Sequence, residues 1–145
     1  YGVWESGYTS TEADPRGIEA DGNLDGIYPD HLRQSDFVVE NMTIVNNAAN
    51  TTDNVDRMQD VIKIRRGAKA TITNAFVKGS GGTIDLIDMN DSKGAGNAAS
   101  SISITHTLNF KNKLNGTLNT FTEPTTNTGA DASLFTWSGY NFSSL

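Results

Sequence analysis

The feature that most constrains this fold is a repeat of short apolar–polar segments along the chain. Three segments align with one another, and Asn41, Asn74 and His106 fall at the same place in them, 33 and 32 residues apart. Each segment alternates apolar and polar side chains, which is typical of a half-buried β-strand. Equivalent strands that recur in order favour parallel stacking over antiparallel pairing. The three segments are residues 39–45, 72–77 and 104–109.

A second set of strands precedes or separates the members of the first. Residues 17–21, 61–65 and 83–87 share an alternating pattern in which apolar side chains point inward. Together the two sets predict an all-β chain, a right-handed parallel β-helix (solenoid) fragment of about three rungs. A β-sandwich of short strands at this spacing is the alternative.

The β-helix predicts which side chains stack, because parallel in-register strands lie about 4.8 Å apart. Glu19, Lys63 and Asp85 are expected to form one outward row of alternating charge. Asp21 is expected beneath Arg65 as a second pair of opposite charge.

The repeat also predicts a ladder of polar side chains. Asn41 and Asn74 are expected to stack as amides that hydrogen-bond to one another, and His106 is expected to extend the stack.

The two ends of the chain differ from its middle. Residues 1–16 show no clear period and are predicted to be irregular, residues 17–110 hold the rungs, and residues 111–145 form a capping tail. The tail ends in an aromatic cluster that is expected to fold back over the last open rung, because an unpaired strand edge recruits other chains. No comparable cap is evident at the amino end. The expected partners are therefore upstream β-helix rungs of the same precursor or another protein chain.

Composition and charge argue against several function classes. The chain has 17 acidic and 11 basic side chains, and no basic run is longer than Arg65-Arg66. Nucleic-acid binding, which needs clustered basic side chains, is therefore not predicted. No apolar run approaches the ~18 residues of a membrane helix, so membrane insertion is not predicted. Cysteine is absent, which excludes disulfides and thiolate metal sites.

Three motifs follow one another in order: Arg-Gly-Ile-Glu-Ala-Asp at 16–21, Val-Glu-Asn-Met-Thr-Ile-Val at 39–45 and Ile-Arg-Arg-Gly-Ala at 64–68. In this set the chain resembles the carboxy-terminal part of β-helical cell-surface proteins common in Bacteroidetes and marine Proteobacteria. The resemblance covers residues 16–90. It implies a structural or adhesive protein that is extracellular or on the bacterial cell surface, and it transfers no catalytic residues.

Residues 21–26 match the start of a calcium-binding loop. Oxygen ligands at alternate positions and glycine at the sixth suit a hard cation. Leu32 stands where such a loop usually has glutamate, and a surface Asx turn is the alternative interpretation. The residues that would form this calcium site are Asp21, Asn23, Asp25 and Asp30.

Other polar residues give weaker patterns. Asp85, Asp88 and Asp91 fall near Asp60 in the aligned strands, either as a cluster or as ordinary outward carboxylates. The threonines at 43, 71, 73, 105 and 107 do not repeat at one position in every rung, so a flat array that binds ice is not predicted.

Three functional hypotheses follow from these patterns. The first is a non-catalytic extracellular structural or adhesive module within a larger β-helix or assembly. The second is a calcium-dependent β-helix that binds or cleaves acidic polysaccharide, with Lys63 and Arg65 beside the loop at 21–25. The third is an accessory subunit of an outer-membrane or filament complex.

Overall fold

The chain forms short parallel strands that belong to two sheets. The structure, a computed structural model, describes residues 1–5, 15–23, 34–48, 58–81 and 85–142. The strands of sheet A are β1 (Gly2–Trp4), β3 (Asp36–Glu40), β4 (Thr43–Asn46), β6 (Lys69–Gly79), β8 (Ser101–His106) and β10 (Thr120–Thr122). The strands of sheet B are β2 (Ile18–Asp21), β5 (Asp60–Arg65), β7 (Asp85–Asp88) and β9 (Asn112–Asn115).

The path of the chain alternates between the two sheets. Sheet A has the order β1-β4-β6-β8-β10, with β3 beside the first half of β6, and sheet B has the order β2-β5-β7-β9. Every named strand pair is parallel. The predicted all-β fold of stacked parallel strands is therefore confirmed.

The core is a narrow column of aliphatic side chains between the sheets. Strand β2 pairs with β5 in the register that the repeats predict, with Ile18 opposite Ile62 and Ala20 opposite Ile64. In sheet A, Val39, Ile72 and Ile102 stack in the same inward column. Because each inward side chain contacts mainly the rung above and the rung below, few apolar residues suffice for each rung.

Sheet A bends sharply at two asparagines that lie one above the other. Asn41 separates β3 from β4 and has φ 57°, while Asn74 lies within β6 and has φ 50°. Asparagine is one of the few residues besides glycine that enters the left-handed region readily. The bend divides sheet A into two flanks. The first flank is built by β3, β10 and the first halves of β6 and β8, and the second flank is built by β1, β4 and the second halves of β6 and β8.

The structure corrects the predicted boundaries at both ends. Gly2–Trp4 is a strand paired with β4, within the segment predicted to be irregular. At the other end, β9 and β10 continue both sheets beyond residue 110. Strands β1 and β10 have only three residues each and β9 has a single apolar residue, so no alternating pattern could be recognised in the sequence.

The carboxy-terminal tail runs back along the stack, and the predicted position of the aromatic cap on the last rung is wrong. Ala130 N–H donates to Thr43 Oγ1 at 2.9 Å, and the 3-10 helix Ala132–Ser138 follows. The rings of Phe135 and Phe142 then pack against Tyr1, at centroid distances of 5.8 and 4.5 Å. The aromatic residues thus find their partner ring beside the first strand. No helix in the described ranges is long and apolar enough to cross a membrane.

Candidate functional site

The outward face of sheet B carries a row of charged side chains. Glu19 pairs in register with Lys63, as predicted, but Lys63 lies opposite Asp88 and not opposite Asp85. The predicted third member of the row is therefore wrong by three residues. Asp85 lies instead between Asp60 on one neighbouring strand and Asn112 on the other.

This register is favoured because it buries the side chains of Leu86 and Ile87 completely. It also places the Asp88 carboxylate against the Lys63 ammonium, where the two form a buried ion pair. Opposite charges on neighbouring strands stabilise the pairing, whereas the predicted register would have left Asp88 without this lysine.

Three carboxylates from two neighbouring strands meet at this face. One oxygen from each of Asp60, Asp85 and Asp88 lies within 4.8 Å of the others, and the three residues are only 7%, 5% and 8% exposed. Carboxylate oxygens brought together in this way are the ligands that a hard cation prefers. Asp91, which the sequence grouped with them, lies in a separate cluster.

Two basic side chains oppose this negative charge, and an amide donates a hydrogen bond to the cluster. Lys63 Nζ contacts Asp88 and lies 4.0 Å from Asp60 Oδ2. Arg16 Nε reaches the same Asp60 oxygen at 3.2 Å. Asn112 Nδ2 donates to Asp85 Oδ1 at 2.7 Å. Sequence reasoning did not assign Arg16 to this site, because Arg16 precedes the first residue of β2 and approaches Asp60 from outside the repeat.

Burial raises the pKa of Asp60 above its ordinary value, and the neighbouring Asp88 carboxylate adds to the rise. Lys63 and Arg16 oppose it. Asp60 therefore takes up a proton more readily than a free aspartate does.

A second ionic cluster lies beside the first, at the ends of β2 and β5. Arg65 pairs with Asp21, as predicted, and also with Glu19. Arg66 NH1 lies 3.6 Å from Asp21 Oδ2, and Asp91 Oδ1 lies 3.4 Å from Arg66 Nε. The hydrogen bond to Asp21 raises the pKa of Arg65. Two guanidinium groups thus occupy the carboxylate oxygens of Asp21.

The predicted calcium loop is only partly within the described residues. Asp21 is the arginine partner just described, and Asn23 Nδ2 donates to the carbonyl oxygen of Arg66 at 3.4 Å. Asp25 and Asp30 lie outside the described ranges. The contacts of Asp21 make it a poor cation ligand, since its oxygens already neutralise two arginines.

The asparagine ladder has two members, and the tail completes it. Asn74 Nδ2 donates to Asn41 Oδ1 at 2.8 Å. The tail amide of Thr128 donates to Asn74 Oδ1 at 2.8 Å. Gly129 passes over this bend with φ 71°, and an added Cβ would lie 2.2 Å from Thr43 Oγ1.

His106 does not extend the ladder, so this part of the prediction is wrong. It pairs with Val77, because Ile72 lies opposite Ile102, two residues away from the predicted alignment, and a bulge between Ile72 and Ala75 shifts the register by one residue more. Strand β6 has one more residue there than β8.

His106 instead belongs to a small cleft at the last rungs. Its Nε2 lies 2.8 Å from Glu123 Oε1, and its Nδ1 lies 2.9 Å from the carbonyl oxygen of Leu108. Lys113 Nζ also reaches Glu123 Oε1, at 2.9 Å. These contacts hold the segment after β10 against β8 and β9.

We expect the Glu123 carboxylate to make stability depend on acid pH. Burial opposes ionisation, but hydrogen bonds from Lys113 and His106 outweigh it and lower the pKa of Glu123 below the ordinary value of 4.5. A lowered folded-state pKa adds stability above pH 4.5, and this stability is lost as the pH falls through the folded-state value. The melting temperature of Glu123→Gln should therefore fall less steeply with acidification than that of the wild type. Glu40→Gln, at an exposed glutamate on β3, is the matched control, and parallel curves for all three proteins would contradict the expectation.

Comparison with known proteins agrees with this architecture. The family model described as pectate-lyase-like β-helix domain matches residues 1–140. No curated protein matches the chain. No solved structure matches it either. A match over nearly the whole length shows that the chain belongs to the pectate-lyase-like β-helix domain family.

Proposed function

We propose that this chain is a non-catalytic structural or adhesive module of an extracellular, right-handed parallel β-helix on a bacterial surface. Right-handed winding follows from the strong preference for right-handed crossovers between parallel strands. The extracellular location is supported by the family, whose members are often extracellular.

The observation that carries the proposal is the mutual neutralisation of the charged groups on sheet B. A catalytic base must be able to accept a proton from a substrate. Lys63 lies between Asp60 and Asp88, and Arg65 lies between Asp21 and Glu19. Both side chains are thereby engaged in contacts within the protein. These contacts suit the stabilisation of stacked rungs better than proton abstraction.

The strand edges support a role within a larger assembly. Strands β1 and β2 are the first members of their sheets, and no strand in the described ranges pairs with their outer edges. Such edges bind further strands through unpaired N–H and C=O groups. The partner is proposed to be additional rungs of the same precursor or a separate chain, such as an outer-membrane or filament complex in which this chain is an accessory subunit. Native mass spectrometry of the protein isolated from its source would distinguish a longer chain from a second chain.

An assay for polysaccharide cleavage tests the non-catalytic proposal. The purified protein would be incubated with a panel of acidic polysaccharides, with and without Ca²⁺, and the absorbance of unsaturated uronate products followed. We expect the absorbance with the wild-type protein to rise no more than it does with the Lys63→Gln variant. A calcium-dependent increase in the wild type that Lys63→Gln abolishes would show that the protein is an enzyme and overturn the proposal.

The carboxylate cluster favours a second candidate function, calcium-dependent binding of acidic polysaccharide. Asp60, Asp85 and Asp88 provide clustered oxygens on an outward face, and the family is described as pectate-lyase-like. If the cluster holds Ca²⁺, the ion should raise the melting temperature of the wild type and have no effect on Asp85→Asn. The ion would be assigned to the loop at residues 21–26 by a different result. In that case the calcium-dependent rise in melting temperature would persist in Asp85→Asn but disappear in the double variant Asp21→Ala, Asp25→Ala.

A further inference from the structure

The first flank of sheet A carries two columns of hydroxyl side chains. Three consecutive strands contribute a hydroxyl residue, an inward apolar residue and a second hydroxyl residue. Ser101 lies opposite Thr71 on one side and Thr120 on the other. The triplets are Thr71-Ile72-Thr73, Ser101-Ile102-Ser103 and Thr120-Phe121-Thr122.

The second column is built in the same way. Ser103 lies opposite Thr122, and Thr73 lies within the bulge of β6 on the other side of Ser103. A shallow trough of about 200 Å³ runs between the columns and is lined by the six hydroxyl residues together with Ile72 and Ile102. The sequence does not reveal this array because serine replaces threonine in the middle rung and β10 lies in the predicted tail.

Away from the bulge at Thr73, the array repeats in two directions. Neighbouring parallel strands are about 4.8 Å apart, and alternate residues on one strand are about 6.7 Å apart. Both spacings are close to oxygen–oxygen repeats on the faces of an ice crystal. A single glycan strand repeats along one direction only, whereas a two-dimensional array matches a ligand that is itself ordered in two dimensions.

The chain's own tail leaves these columns open. The tail runs along the second flank, where it contacts Thr43 and Thr105. At the margin of the array, Asn127 Nδ2 donates to Ser103 Oγ at 3.2 Å, and Asn119 Nδ2 donates to Thr120 Oγ1 at 3.2 Å. These contacts orient two of the hydroxyl groups without covering the trough between the columns.

We propose that the six hydroxyl residues form an ice-binding surface. Their hydroxyl groups hydrogen-bond to lattice water, and the threonine methyl groups occupy the spaces between lattice positions. None of the six is charged, so no strongly hydrated ion keeps the water layer from adopting the crystal order. None is aromatic, which distinguishes the surface from the ring platforms on which sugars stack. This inference does not depend on the function proposed above.

The neighbouring strand β3 limits the array to three rungs. Val38 lies opposite Thr71, and Glu40 lies opposite Thr73. Val38 is 65% exposed and adds an apolar edge, whereas the glutamate introduces a charge at the end of the second column. Threonine at both positions would extend the columns to a fourth strand.

The test measures ice recrystallisation inhibition by the purified protein. We expect the wild type to inhibit crystal growth and Thr73→Lys to lose this inhibition at the same concentration. Thr117→Lys introduces the same side chain at an exposed residue between β9 and β10 and should retain full inhibition. Melting temperatures of both variants would establish that they are folded.

A gain-of-function variant makes the test independent of folding defects. Val38→Thr combined with Glu40→Thr should inhibit recrystallisation at a lower concentration than the wild type. Absence of inhibition by the wild type, or equal inhibition by Thr73→Lys, would overturn the proposal. It would also be overturned if the wild type bound crystalline cellulose through Thr73 and had no effect on ice, because the surface would then recognise an ordered polysaccharide.

Discussion

Lys63→Met is expected to lower the free energy of unfolding by about 3–5 kcal/mol, the cost of removing one partner from a buried ionic group. Methionine retains most of the volume of the lysine side chain but removes its charge. Asp60, Asp85 and Asp88 would then remain buried together with Arg16 as the one cation described beside them. Urea denaturation followed by circular dichroism measures the difference.

Two variants control this experiment. Lys113→Met removes an ion-paired lysine whose side chain is 55% exposed, and it should cost about 1 kcal/mol or less. Adding Asp88→Leu to Lys63→Met removes both charges of the pair and should restore much of the lost stability. If Lys63→Met proves as mild as Lys113→Met, the ionic cluster does not stabilise the stack.

Ile72→Ala is expected to cost about 2–5 kcal/mol, because it leaves a cavity in a fully buried position. Ile72 lies in the central rung of its column, between Val39 and Ile102. The cavity therefore weakens the contact with both neighbouring rungs, and stability in a stack depends on these nearest-neighbour contacts.

Val39→Ala is the matched comparison for this variant. It shortens an inward side chain of the same column that is only half-buried. We expect a clearly smaller loss in urea denaturation than for Ile72→Ala. An equal or larger loss from Val39→Ala would show that stability does not concentrate at the central rung.

The pairing of β2 with β5 could be predicted from the sequence, because only one alignment of the two strands places apolar residues opposite apolar residues and opposite charges beside one another. Both strands alternate apolar and polar residues over four positions, and the alignment also pairs Asp21 with Arg65. The segment around β7 permits two alignments, since Asp85 and Asp88 both flank apolar residues. The choice between them depends on burial of Leu86 and on the ion pair with Lys63, which are tertiary effects.

The error at His106 has a different origin. Counting residues from Asn41 to Asn74 and onward assumes that each strand has the same number of residues. Ile72 in fact lies opposite Ile102, 30 residues further along the chain, and the bulge in β6 shifts the later partners in β8 by one more residue. A bulge of this kind leaves no mark in the apolar–polar pattern of a single sequence.

The candidate site was only partly accessible to sequence reasoning. The grouping of Asp85 and Asp88 with Asp60 follows from the stacked strands, but Arg16 lies outside the repeat and its approach depends on how the chain enters β2. Calcium binding at residues 21–26 stays a prediction, because Asp25 and Asp30 lie outside the described ranges.

The course of the tail has a consequence for the kinetics of unfolding. Its contacts join residues far apart in the chain, since Ala130 is 87 residues from Thr43 and Tyr140 is 135 residues from Glu5. Because closing long loops costs entropy, we expect the tail to attach late, on the native side of the folding barrier. Contacts that form after the barrier slow unfolding and leave the folding rate almost unchanged. The tail is therefore expected to lengthen the lifetime of the folded stack, and with it the time for which the stack resists proteases that cleave the unfolded chain.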